Sequence, residues 1–268
     1  MSGFDNANAG RSIAHFLGLS MSEVGPVEPG TAHLQGTAPA SLSVRSADGG
    51  IAMGALLTLA DSIGGLGGGL AALPGWVVST NLMLRAVNRQ AVGPLGLESH
   101  VLRAGKRSTI TEIRMIDTGS ENTLVATGML TSAVLEPVGG PPAYDRPLIV
   151  RAPDLDPSSE LHLTEFLGAV PTAANQLLLP ITDDLRNPWG ILHGGVTAAL
   201  VDLAGCHVTG AAATTDAVLH YLSPGRVGPV TATATSHGER TDGTIVRVEI
   251  RDQGAHDRLM AVAITTVQ

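Results

Sequence analysis

The sequence predicts an α+β chain made of two copies of one unit, each an antiparallel sheet wrapped around a single apolar helix. Three observations carry this: an internal repeat, strands in which apolar and polar residues alternate, and one proline-free helix of small residues in each copy.

The repeat is clearest in the strands. Val92-Gly93-Pro94-Leu95 recurs as Val227-Gly228-Pro229-Val230, an offset of 135 residues, and the same offset carries Ile110–Asp117 onto Ile245–Asp252. It then takes Gly119 to Gly254, Leu124 to Leu259 and Thr131 to Thr266. In the helices the offset is 141, with Asp61 answering Asp202, so the first copy has six more residues between helix and strands. Those residues fall in the glycine-rich stretch Gly64–Gly75, where glycine is expected to end the helix and leave room for a ligand. Further upstream, Phe16-Leu17-Gly18 is echoed by Phe166-Leu167-Gly168.

Taken in order, each copy reads as a short N-terminal helix, an irregular strand, a loop, the small-residue helix and then several strands. Val246, Val248 and Ile250 point one way while Arg247, Glu249 and Arg251 point the other; Thr111, Ile113 and Met115 oppose Glu112 and Arg114 in the same manner. One sheet face is therefore wet, and the other must be covered by the helix. Between the copies, residues 136–160 hold Pro137, Pro141, Pro142, Pro147, Pro153 and Pro157, which reads as a stiff linker. The expected boundaries are an N-terminal domain at 1–136, a linker at 137–160 and a C-terminal domain at 161–268.

Composition narrows the function. The 268 residues are 44% hydrophobic and 15% charged, enough for two ordinary domains with buried cores. A net charge of -8 with no dense basic stripe, and only 3% aromatic residues, argue against nucleic acid and anionic membranes as partners. Arg103, Lys106 and Arg107 form the richest basic cluster, read either as a solvated hairpin end or as a contact for ligand phosphates. The N-terminus lacks a signal-peptide pattern, and the single Cys206 cannot form an intramolecular disulfide, so a cytoplasmic location is expected. The apolar run from Ser62 to Leu73 is short and broken by glycine, so it is not expected to span a bilayer. The nine histidines show no metal-ligand spacing, and neither a metal nor another cofactor is expected.

The chemistry gathers at Asn187-Pro-Trp-Gly-Ile-Leu-His193-Gly194-Gly195, which runs directly into a helix carrying Asp202. First-turn amides have no intrahelical partner, so the Gly194 and Gly195 N–H groups are open to a carbonyl oxygen gaining negative charge. Asp202 shares a face with Gly195, Ala198, Ala199, Gly205 and Cys206, all small, where a carboxylate is poorly solvated. The plainer alternative is that Asp61 and Asp202 only satisfy hydrogen bonds between packed helices. Cys206, one turn beyond Asp202, reads as a small buried hydrophobe rather than a nucleophile.

The pattern Asn-x-x-Gly-x-x-His-Gly-Gly, with an Asp nine residues after the His, resembles the hot-dog thioesterases of the phenylacetyl-CoA thioesterase type. The resemblance implies two fused hot-dog units, an acyl-CoA or related thioester as substrate, and free acid and thiol as products. It also implies a site shared between two units, with Asn and His-Gly from one and Asp plus a Ser or Thr on the next strand from the other. Carried onto this chain, one site combines Asn187, His193 and Gly194 with Asp61 and either Ser79 or Thr80. The second combines Asp202 with Ser46, Ala52 and Met53, which stand where the first has Asn187, His193 and Gly194, and so lacks the Asn and the His. His220 is taken as the residue answering Ser79 there. Asp61 therefore ranks above Asp202 as base or nucleophile, and a homodimer of fused chains is a further expectation. Two other functions compete. A hot-dog enoyl-CoA hydratase is disfavoured by spacing, since Asp184 precedes Asn187 by three residues and His193 follows Pro188 by five; a non-catalytic acyl-CoA sensor would bind without turnover.

Overall fold

The computed structural model describes residues 12–136, 146–152 and 161–268. The first half runs α1 (Ile13–Phe16), β1 (Ser20–Glu23), β2 (His33–Ala38), α2 (Met53–Ala72), β3 (Trp76–Ala86), β4 (Leu95–Ala104), β5 (Ser108–Asp117) and β6 (Thr123–Leu135). After β7 (Ile149–Val150), the second half repeats the order as α3 (Leu163–Leu167), β8 (Val170–Ala173), β9 (Gln176–Leu179), α4 (Gly194–Thr209), β10 (Thr214–Tyr221), β11 (Val230–Arg240), β12 (Gly243–Asp252) and β13 (Arg258–Val267).

All strands join one antiparallel sheet in the order β7-β1-β2-β4-β5-β6-β3-β10-β13-β12-β11-β9-β8. Apart from β7, this order matches element for element when read from either end, as the repeat in the sequence requires. The halves meet where β3 pairs with β10, Asn81 opposite His220 and Arg85 opposite Asp216. At the other end of the sequence correspondence, Phe16 and Phe166 stack with ring centroids 4.4 Å apart, joining α1 to α3.

The repeated Val-Gly-Pro turns have a common cause. Asp117 accepts the N–H groups of Val92 and Gly93, and Asp252 accepts those of Val227 and Gly228. Although burial opposes ionisation, these amides hold both carboxyls below the usual range. A side chain at Gly119 or Gly254 would collide with the carbonyl of Gly93 or Gly228, which explains the glycine at both places.

Alternation along the strands puts Thr111, Ile113, Met115, Val246, Val248 and Ile250 in the interior. The helices cover them, α2 against β3 to β6 and α4 chiefly against β11 to β13. Two expectations need correction here. The glycines of the first copy do not end the helix: α2 continues to Ala72, and Leu73, ahead of Pro74, caps it. Nor do Gly67 and Gly68 open a space. A Cβ at Gly67 would lie 2.7 Å from Ser99 Oγ and one at Gly68 2.7 Å from Thr109 Oγ1, so glycine lets the helix settle directly on β4 and β5. The apolar run is also longer than its glycines suggested. α2 is long and apolar enough to cross a membrane by length and composition, yet most of it is buried inside the sheet.

The proline-rich stretch is more than a spacer. Ile149 and Val150 pair with Ser22 and Met21 as the edge strand β7, and Arg146 forms an ion pair with the buried Glu23. Residues 137–145 and 153–160 of the expected linker lie outside the described residues.

Candidate active site

Helices α2 and α4 touch through their first turns, and glycine makes the approach possible. A Cβ at Gly195 would lie 2.8 Å from Thr58 Cα, and one at Gly54 would lie 3.2 Å from Ala199 Cβ. The Thr58 hydroxyl is 2.7 Å from the Gly54 carbonyl and 3.0 Å from that of Gly195, tying the helices together. Each helix consequently presents its aspartate to the N-terminus of the other: Asp61 to α4, and Asp202 to α2.

At the first junction Asp61 is 6% exposed. Ser79 Oγ donates to its Oδ1 at 2.6 Å, and its Oδ2 lies 3.4 Å from His193 Nδ1. The carboxylate sits so close to the start of α4 that a Cβ at Gly194 would be 2.7 Å from both its oxygens. His193 is the N-cap of α4, with Nδ1 accepting the Gly195 N–H at 3.0 Å. That bond places the proton of the neutral ring on Nε2. Burial pushes the His193 pKa down, against the pull of Asp61, so the neutral ring is favoured. With Nδ1 acting as acceptor, Asp61 Oδ2 receives no donor among the described residues. The Gly194 N–H likewise has no partner there.

The choice between Ser79 and Thr80 is decided by a bulge. Leu82 and Leu84 point inward, and simple alternation would send Thr80 inward as well. The register with β6 slips between Ser79 and Asn81, which makes Thr80 the extra residue. Ser79 thereby turns to Asp61, while Thr80 donates to the Thr131 carbonyl at 3.0 Å. No hydrogen bond joins Asn187 to Asp61 among the described residues. The Asn187 Oδ1 accepts the N–H groups of Trp189 and Ile191, which shapes the loop into α4 and leaves the half-buried Nδ2 as the group free for a ligand. Arg103, Lys106 and Arg107 are exposed at the β4–β5 turn, outside this cluster.

Tyr221 was missed by sequence reasoning. Its hydroxyl donates to the Gly194 carbonyl at 3.0 Å, and burial, then the nearby Asp61, raises its pKa far enough to keep it a donor. The signal was available: Ala217 and Leu219 are buried, so alternation along β10 aims Tyr221 at the helices.

The second junction is closed. Asp202 Oδ2 accepts the Gly54 N–H at 2.7 Å, and its pKa is raised by burial despite bonds from Thr214, Gly54 and Cys206. The Cys206 thiol is pushed up to about 12 by burial and by Asp202, which removes it as a nucleophile. Ala52 and Met53 are buried, and Ser46 is engaged with Asp48, the Gly50 carbonyl and Arg89. The residue answering Ser79 is Thr214 and not His220. Beyond the six-residue difference the offset is 135, which takes Ser79 to Thr214, and the bulge recurs between Thr214 and Asp216. Thr215 then bonds the Thr266 carbonyl as Thr80 bonds that of Thr131. His220 is exposed and faces Asn81 across the β3–β10 ladder.

No protein-family model matches the sequence, and no curated protein matches it. Similar solved structures include the tesB protein of Mycobacterium avium subs paratuberculosis, with a TM-score of 0.55, 12% identity and coverage of 87% of this chain and 90% of that one. The 12:0-ACP thioesterase from Umbellularia californica has a TM-score of 0.54 at 12% identity, over 85% of this chain and 90% of that one. This chain has the hot-dog fold of the thioesterases. An acyl-ACP thioesterase from Bacteroides thetaiotaomicron is alike over 89% of this hot-dog chain and 98% of its own length, with a TM-score of 0.54 and 12% identity. These hot-dog structures share an antiparallel sheet with few helices; at such identity the likeness speaks for the fold alone.

Proposed function

We propose that this chain hydrolyses acyl thioesters at the junction of α2 with the N-terminus of α4, and that residues 1–136 and 161–268 are two fused hot-dog units supplying one composite site. The observation that carries the reading is the cluster Asp61, Ser79, His193 and Gly194, in which a buried carboxylate with one unclaimed oxygen faces an unclaimed helix N-terminal amide. Pairing a base with an oxyanion donor at one point is what thioester hydrolysis needs.

In this reading the thioester carbonyl accepts the Gly194 N–H, with the His193 Nε2–H and the Asn187 Nδ2 as further donors. Ser79 fixes the Asp61 carboxylate. By one route Asp61 Oδ2 takes a proton from water as its oxygen attacks the carbonyl carbon; the tetrahedral intermediate collapses, the C–S bond breaks, and that proton passes to the departing thiolate. By the other, Oδ2 attacks directly, expels the thiolate and forms an anhydride that water then opens. Single-turnover hydrolysis in heavy-oxygen water separates them, since only the second puts label into Asp61. Asp202 takes no part, because its carboxylate already occupies the α2 amide.

The direct test is thiol release from a panel of acyl-CoA and other acyl thioesters, with binding measured in parallel. Turnover abolished by Asp61→Asn supports the proposal. Binding without turnover in the wild-type protein favours a sensor and overturns it.

A further inference from the structure

The chain has only two tryptophans, and they meet. Trp76 opens β3, Trp189 stands in the loop before α4, and their ring centroids are 4.7 Å apart at a tilt of 55°. The Trp76 ring donates from Nε1 to the Glu136 carbonyl at 3.0 Å, and the backbone N–H of Trp189 donates to Asn187 Oδ1 at 3.0 Å, which holds the loop that carries the second ring. Trp189 nevertheless remains 41% exposed. An aromatic surface packed on a second ring and left partly in water is well suited to receive a flat ring.

The pair adjoins the catalytic cluster. Trp76 precedes Ser79 by three residues, about 10 Å along the strand, and Trp189 belongs to the loop that carries Asn187 and His193. Three exposed cationic side chains stand at the same end of the sheet. Trp76 pairs with Leu135 at the end of β6, and the Arg107 carbonyl accepts the N–H of the adjacent Val134 at 2.9 Å. The turn bearing Arg103, Lys106 and Arg107 therefore lies two strands from Trp76, again about 10 Å. None of these three cations has an ion-pair partner among the described residues, whereas Arg89, Arg146, Arg247 and Arg251 all do.

We infer that this end of the molecule holds the nucleotide of coenzyme A, its adenine stacked on Trp189 against Trp76 and its phosphates met by Arg103, Lys106 and Arg107. The inference rests on the thioesterase reading and adds the carrier: a thioester on coenzyme A presents a phosphorylated adenosine at the end of its pantetheine arm, while one on a protein carrier has no adenine to stack.

Tryptophan fluorescence reads the site directly, because both fluorophores are in it. Coenzyme A and adenosine 3′,5′-bisphosphate should quench the emission; pantetheine, which lacks the nucleotide, should not. Trp189→Ala should weaken coenzyme A binding measured by calorimetry about tenfold, the loss expected for one base–aromatic stack. It should lower kcat/KM for an acyl-CoA relative to the same acyl group on pantetheine by a similar factor. Lys106→Glu with Arg107→Glu should weaken binding further and flatten its salt dependence. Equal binding of coenzyme A by wild-type and Trp189→Ala, equal losses on both thioesters, or ATP binding as tightly as coenzyme A would overturn the inference. Hydrolysis of acyl-pantetheine without coenzyme A binding would sink the nucleotide site and keep the thioesterase. Nucleotide binding without hydrolysis of any thioester would sink the thioesterase and keep the site.

Discussion

His193 Nδ1 lies 3.4 Å from Asp61 Oδ2, yet the hydrogen bond it accepts comes from the Gly195 amide. The ring and the carboxylate thus face each other as two acceptors, and the carboxylate is steadied by Ser79 instead. This leaves Asp61 with one oxygen held and one without a donor among the described residues.

Gly194→Ala should be among the most damaging small substitutions. The new Cβ would meet both Asp61 oxygens at 2.7 Å, so either the carboxylate or the helix must move. A displacement on that scale costs about 10²-fold in turnover, which steady-state kinetics would record. Gly54→Ala, whose nearest neighbours are 3.2 Å away at the closed junction, should lower the melting temperature with a far smaller loss of rate.

The two aspartates should be unequal. Asp61→Asn keeps the shape and removes the base or nucleophile, an expected loss of ~10²–10⁴-fold. Asp202→Asn can still accept the Gly54 N–H and should retain most of the activity. Paired variants of Asp61, His193 and Asn187 should lose less than the sum of the single effects if they act as one unit. A folded Asp202→Asn protein that is inactive beside a nearly normal Asp61→Asn would refute the composite site.

Acid should weaken the site through His193. Burial lowers its pKa in the fold, so below the unfolded value of about 6.5 the unfolded chain binds the proton more readily. The stability that the neutral ring contributes is complete above that value and is lost as pH falls through the folded pKa. Thermal unfolding from about pH 8 to about pH 5 should show a steeper decline for the wild type than for His193→Gln. Parallel curves would show that His193 is not the group responsible.

Thr111→Val should stabilise the protein. The Thr111 hydroxyl is fully buried and, like those of Thr109 and Ser132, has no hydrogen-bond partner among the described residues. An isosteric methyl removes an unpaired polar atom at a gain of about 1 kcal/mol, measurable by chemical denaturation. A loss of stability would indicate a bond to this hydroxyl in solution.

Much of this was legible in the residues. The repeat matches the mirrored order of the sheet, and Ala52 and Ser46, standing where the other junction has His193 and Asn187, already distinguish the two junctions in the sequence. Legibility ended where the backbone departs from its simple period. The bulge at Thr80 decides which hydroxyl reaches Asp61, and no feature of Ser79-Thr80-Asn81 announces it. The six extra residues misled twice. Glycine is a poor helix former in isolation, yet here the contact of α2 with β4 and β5 favours it strongly enough to prolong the helix. Counting through those residues with the helix offset also set His220 opposite Ser79, when the strand offset leads to Thr214. Tyr221 has no counterpart in the repeat, since the same position in the first half is Ala86, and a search for matched pairs passes over it.

The reciprocal crossing of α2 and α4 has a bearing on how such a site can vary. Were the halves separate and identical chains, every substitution would appear at both junctions, and neither could change alone. With both on one chain, Asp61 and Asp202 are independent positions. One junction can keep its histidine and an open amide while the other fills with Ala52 and Met53 and serves only to clasp the helices. The closed junction is thus the anchorage that holds the open one to its geometry.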